Sequence, residues 1–169
     1  MLFTTYLAHL TKLRYGNHVI TALKSAGLKD PKVYYVMRNR GNNAVAPTKD
    51  ALELFKGSED WQAYVNWYQG DKLETEAAKE WMRNVAEETV ARDVVLVCYE
   101  KNHLRCHRSL LAKQIVQNHP EVNYVGELRF HIWRARTGTV RSLNPSSFFG
   151  VINLKTDVSR HRTGHPESG

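Results

Sequence analysis

Both cysteines of this 169-residue chain lie in one segment, Val97-Cys-Tyr-Glu-Lys-Asn-His-Leu-Arg-Cys-His-Arg-Ser-Leu-Leu. Two cysteines, two histidines and two arginines fall within the eleven residues from Cys98 to Arg108. Thiol chemistry needs a sulfur that can lose its proton, a group to take that proton, and fixed positive charge for the anion that forms or arrives. Cys98 or Cys106 is the candidate reactive thiol, and His107 the candidate acid/base. Glu100 could orient a histidine or act as an acid. Arg105, Arg108 and Ser109, joined by Arg38 from an earlier segment, form the candidate anion or phosphate clamp. A helix starting at Cys106 would add free N–H groups and partial positive charge, which favour a bound phosphate and lower the pKa of a nearby cysteine.

The surrounding sequence supplies the elements to hold these groups. Asp93-Val-Val-Leu-Val-Cys is a continuous apolar run, the pattern of a parallel strand covered on both faces. A polar loop from Glu100 to Arg105 follows, then a helix from Cys106 to Gln117 with Pro120 just past its end. Upstream, Leu2 to Leu7 and Val33 to Met37 read as strands. Asn17 to Ala26 reads as a helix with Asn17 as cap and Gly27 after its end. Thr48 is the expected cap of a helix ending at Gly57, and Ser58 the expected cap of the next. Trp61, Tyr64, Val65 and Tyr68 share one face of that helix. With Trp67 and Trp81 these aromatics could stack on bases, but helical spacing assigns them to the core. Leu73 to Ala91 is a third helix, and Val122 to Val125 a short strand. Strands alternating with helices predict an α/β fold of three layers, a mostly parallel sheet flanked by helices. Its strand ends near Tyr6, Arg38 and Cys98 are where such sheets bind ligands.

Several of these segments resemble one family. Cys98-Tyr-Glu-Lys followed by Cys106-His-Arg-Ser-Leu-Leu-Ala is similar to the signature of the domain of unknown function 488 family. Leu2-Phe-Thr-Thr-Tyr-Leu-Ala-His-Leu-Thr-Lys-Leu resembles its opening strand and the segment after it. Ala46-Pro-Thr-Lys-Asp-Ala-Leu resembles its Ala-Pro-Ser-like motif, and Trp61-Gln-Ala-Tyr its aromatic helix. The resemblance spans roughly residues 1–120. It implies a compact α/β fold and no established reaction. The chain departs from the family's pattern in the asparagine-rich loop Gly41 to Asn43, where a longer proline-rich insert is expected, and in a basic extension after residue 128.

Three uses of the cysteine segment stay open at this level. The first is a cysteine enzyme. Strand, loop and helix start echo the phosphatase and rhodanese loops. The spacing differs, since six residues separate Cys98 from Arg105 and no glycine lies between them. The second is redox or metal chemistry. Seven residues separate the cysteines, so the loop could close a disulfide. Cys98, His103, Cys106 and His107 could supply four ligands, but all from one loop, whereas zinc sites draw pairs from two places. No metal or cofactor is therefore expected. The third is structural, because free cysteines are among the most buried residues.

The net charge of +7 is unevenly spread. Residues 129–169 hold seven basic and two acidic residues, a net +5, and residues 1–128 hold the remaining +2. The chain thus divides into an α/β core, residues 1–128, and a basic C-terminal extension, residues 129–169. In the extension Arg129, Trp133, Arg134, Arg136 and Arg141 form a basic-aromatic stretch suited to phosphate backbones. No apolar run reaches membrane-spanning length and no secretory signal is evident, so a cytoplasmic protein is expected. The expected function is an enzyme acting on a phosphate-bearing small molecule or nucleic acid at the Cys98–Arg108 segment. A non-enzymatic nucleic-acid binder using the extension and a thiol redox regulator are the alternatives.

Overall fold

The computed structural model describes residues 1–11 and 19–129. Four parallel strands form its sheet: β1 (Leu2–Tyr6), β2 (Lys32–Tyr35), β3 (Val94–Cys98) and β4 (Tyr124–Glu127), in the spatial order β2-β3-β1-β4. Between them run α1 (Leu7–Thr11), α2 (Val19–Ser25), α3 (Lys49–Ser58), α4 (Trp61–Trp67), α5 (Glu76–Ala91) and α6 (His107–Asn118). The α/β architecture expected from the alternation is present.

Every residue of β3 is buried, as are Leu2 to Thr5 of β1. These two central strands therefore have cover on both faces, which explains the unbroken apolar run in β3. Because all pairs are parallel, the carboxyl ends line up on one edge. Tyr6 stands opposite Cys98, and Tyr35 opposite Val97. At the other edge β4 carries an irregularity: Leu2 pairs with Tyr124 but Phe3 with Gly126, so Val125 is skipped. Gly126 sits at φ +122°, a backbone state that glycine adopts freely. The bulge moves Glu127 from opposite Thr5 to opposite Thr4 and so re-aims its carboxylate.

The helix starts follow their capping residues. Thr48 Oγ1 accepts from the Ala51 N–H and Thr75 Oγ1 from the Ala78 N–H. Ser58 does not cap α4 as expected. It is the last residue of α3, which ends where Glu59 turns left-handed at φ 54°, and Asp60 caps α4 instead through Ala63. Asn17, the expected cap of α2, lies outside the described residues. The aromatic face of α4 packs inward. Tyr64 stacks on Tyr68 with ring centroids 6.0 Å apart, and both are buried. Tyr68, at the start of a π-helical turn (Tyr68–Lys72), donates to the Val45 carbonyl at 2.6 Å and sets its ring against His107. The aromatics are core, and through Tyr68 they wall in the cysteine segment.

Candidate active site

The strand-to-helix connection from β3 to α6 brings four chemically active side chains together. Cys98 ends β3, Glu100 stands two residues later, and Cys106 and His107 open α6 after a 3₁₀ turn (His103–Arg105). One atom from each lies within 4.8 Å of every other. The Cys98 thiol is within hydrogen-bonding distance of Glu100 Oε2 and donates to it. The Cys106 thiol donates to the same oxygen at 3.1 Å. Cys98 Sγ lies 3.9 Å from His107 Nδ1 and 3.5 Å from Nε2.

Cys106 occupies the N-cap of α6 but makes no capping bond. Serine, threonine or aspartate is the stabilising choice there. The sulfur turns instead to Glu100, so the position serves the cluster at the expense of the helix. His107 is oriented by backbone: its Nε2 lies 2.9 Å from the Val36 carbonyl, just past β2. A carbonyl only accepts, so Nε2 carries the hydrogen and Nδ1 keeps its lone pair.

The backbone around Val36 is itself closely packed. A side chain on Gly41 would meet the carbonyl oxygens of Met37 at 2.6 Å and Tyr35 at 2.8 Å. Gly41→Ala is therefore expected to cost about 1–3 kcal/mol and to shift the carbonyl that holds His107. Urea unfolding checks the stability, and an unchanged midpoint would show that this turn yields freely.

Arg108 is fully buried. Its guanidinium donates to the Glu100 backbone carbonyl at 2.6 Å and pairs with Glu127 through contacts of 2.8 and 3.3 Å. Thr4 Oγ1 donates to the same Glu127 carboxylate at 2.7 Å. The expected place of Arg108 in an anion clamp is thus corrected: all three faces of its fork are committed, and it secures the Glu100 loop to β1 and β4. Arg38 and Arg105 are exposed near the same sheet edge and form no ion pair among the described residues. Ser109 is buried with its hydroxyl unpaired. Arg129 is exposed, and Trp133, Arg134, Arg136 and Arg141 lie outside the described residues.

The electrostatics also differ from expectation at Cys98. The adjacent Cys106 thiol, burial and the Glu100 charge push its pKa far above the ordinary thiol range. Burial works against ionisation of Glu100, but the Cys98 thiol, His107 and the Cys106 thiol outweigh it and hold the carboxyl below its usual value. Burial lowers the pKa of His107, against the opposing pull of the Glu100 charge and the Val36 carbonyl. In this arrangement one half-buried carboxylate accepts from two thiols.

Glu127, Thr4, Val36 and Tyr64 were not legible as site residues. For Glu127 the only signal is the preceding glycine, a hint of a bulge. The four donor-bearing side chains that meet are Cys98, Glu100, Cys106 and His107, two from the strand end and two from the helix start, and His103 is not among them.

Fold and site together define a parallel α/β protein with a thiol–carboxylate–imidazole cluster at the carboxyl edge of its sheet. The chain belongs to the family described as DUF488-N3a, the active DUF488-N3 subclade, whose model matches residues 34–119. That span runs from β2 through α6 and contains the whole cluster. No curated protein and no solved structure matches the chain. Among the described residues no helix is long and apolar enough to cross a membrane.

Proposed function

We propose that this protein is an enzyme acting on a phosphate-bearing ligand, a nucleotide or nucleic acid, at the Cys98–Glu100–Cys106–His107 cluster. The observation that carries it is the convergence of two thiols, a carboxylate and an oriented imidazole where parallel α/β sheets present their chemistry. The cost accepted at the α6 cap supports a functional role for Cys106 over a packing one. Glu100 accepts the proton of a thiol, and His107 Nδ1 offers a second base. Arg38 and Arg105 meet the phosphate at the rim.

The test is turnover and binding by the full-length protein on a panel of nucleotides and oligonucleotides, with products read by mass spectrometry. Cys106→Ser is the most informative variant, because serine is a better N-cap and stability should hold or rise by up to about 1 kcal/mol. Loss of turnover in a stable Cys106→Ser protein supports the enzyme. Turnover unchanged from the unaltered protein in both Cys98→Ser and Cys106→Ser overturns it. If Arg134, Arg136 and Arg141 to alanine abolishes a steeply salt-dependent affinity while the cysteine variants change nothing, the protein is a nucleic-acid binder instead.

A redox regulator is the second reading, favoured by both thiols meeting one carboxylate oxygen. A mild two-electron oxidant would then join Cys98 to Cys106 with loss of two hydrogens. Two free thiols after oxidant treatment count against it.

A further inference from the structure

We infer that Cys98, Glu100, Cys106 and His107 form a binding site for a divalent ion of the zinc class. The inference rests on taking this cluster as the functional centre. Zinc takes four sulfur, nitrogen or oxygen donors, at about 2.3 Å from sulfur and about 2.0–2.2 Å from nitrogen and oxygen, so its ligands stand roughly 3–4 Å apart. Here Cys106 Sγ is 3.1 Å from Glu100 Oε2, Cys98 Sγ is 3.9 Å from His107 Nδ1, and all four donors are within 4.8 Å. Two thiols with an imidazole and one carboxylate suit zinc better than magnesium or calcium, which prefer oxygen alone.

Three further features fit an ion. First, His107 is held by a backbone carbonyl as metal-binding imidazoles are: Nε2 lies 2.9 Å from the Val36 carbonyl and 3.5 Å from Cys98 Sγ, and Nδ1, which keeps its lone pair, lies 3.9 Å from that sulfur. Second, the Glu100 carboxylate is paired with no lysine or arginine side chain among the described residues. Its side-chain hydrogen-bond donors are the two thiols. Arg108 approaches, but it bonds the backbone carbonyl of Glu100 and spends its charge on Glu127. Third, the buried hydroxyl of Tyr64 lacks a hydrogen-bond partner and lies within electrostatic reach of Cys106, Glu100 and Cys98.

Binding would replace the two S–H···O contacts with two sulfur–metal bonds, the two thiol protons passing to solvent. Arg108, Glu127 and Thr4 would hold the Glu100 loop from behind.

The experiment titrates chelator-stripped full-length protein with Co²⁺, then displaces it with Zn²⁺. The expected result is one ion per chain, with the near-ultraviolet thiolate-to-cobalt band and the strong visible bands of a tetrahedral site, both bleached by zinc. The Cys98→Ser, Cys106→Ser double variant should lose the thiolate band, with circular dichroism confirming its fold. If that variant does not fold, the spectrum of the unaltered protein still decides. Absence of a thiolate band in the unaltered protein overturns the site, as does a band that survives in the double variant. Cobalt uptake needs no substrate, so failure here is separable from failure of the enzyme. A colourless protein that still turns over a nucleotide overturns the ion site alone.

Discussion

Arg108→Ala is expected to lower folding stability by about 3–5 kcal/mol, the cost of leaving one member of a buried ion pair without its partner. The arginine is completely buried, and Glu127 is nearly so. Alanine would strand the Glu127 carboxylate beside Thr4 and leave the Glu100 carbonyl without its donor. The penalty is large because Glu127, held in β4 with its side chain 7% exposed, would be left as a buried charge without its cation. Urea unfolding of both proteins measures it. Replacing the pair together, Arg108→Met with Glu127→Leu, should cost clearly less than the single change, since no uncompensated charge is left inside. A double variant as unstable as Arg108→Ala would show that packing, not charge, dominates there. The same experiment separates the two roles of this arginine. A protein that stays folded yet loses only phosphate affinity would return Arg108 to the anion clamp.

Glu100→Gln is expected to have the largest effect on activity, a fall of about 10²–10⁴-fold in turnover, the usual contribution of a positioned proton acceptor. Glutamine keeps the volume and can still lie between the thiols. It cannot take a proton from either of them. Stability should change far less than in Arg108→Ala, because the loop is anchored through the Glu100 backbone carbonyl, which the substitution leaves in place. The check is turnover of any nucleotide the unaltered protein converts, alongside a thermal melt. Turnover within a few-fold of the parent would remove Glu100 from the chemistry.

Much of the scaffold was legible because local rules and tertiary packing agree. The apolar run Val94 to Cys98 could only be a covered strand. Thr48 capped a helix as its side chain predicts. The reading failed at Ser58, the expected cap of the second helix, which is instead the last residue of α3. The left-handed turn at Glu59 decided for Asp60. That choice depends on how α3 and α4 meet, which no local signal encodes.

The segment Cys98 to Arg108 was legible as a site from residue types alone. By itself the sequence determined that two thiols, a carboxylate and an imidazole would sit between a buried strand and a helix start. Only the tertiary structure decided what each of them does there. It gave Arg108 to Glu127, a residue nineteen positions away that a bulge at Gly126 turned inward. It set His107 by a carbonyl from a neighbouring strand segment and put Glu100 between the two sulfurs. The physical reason is that charge and proton affinity are set by neighbours within a few ångströms. Those neighbours come from separate strands, so the same residues that suggested an activated thiol and an arginine clamp fold into two thiols donating to one carboxylate and an arginine paired with Glu127.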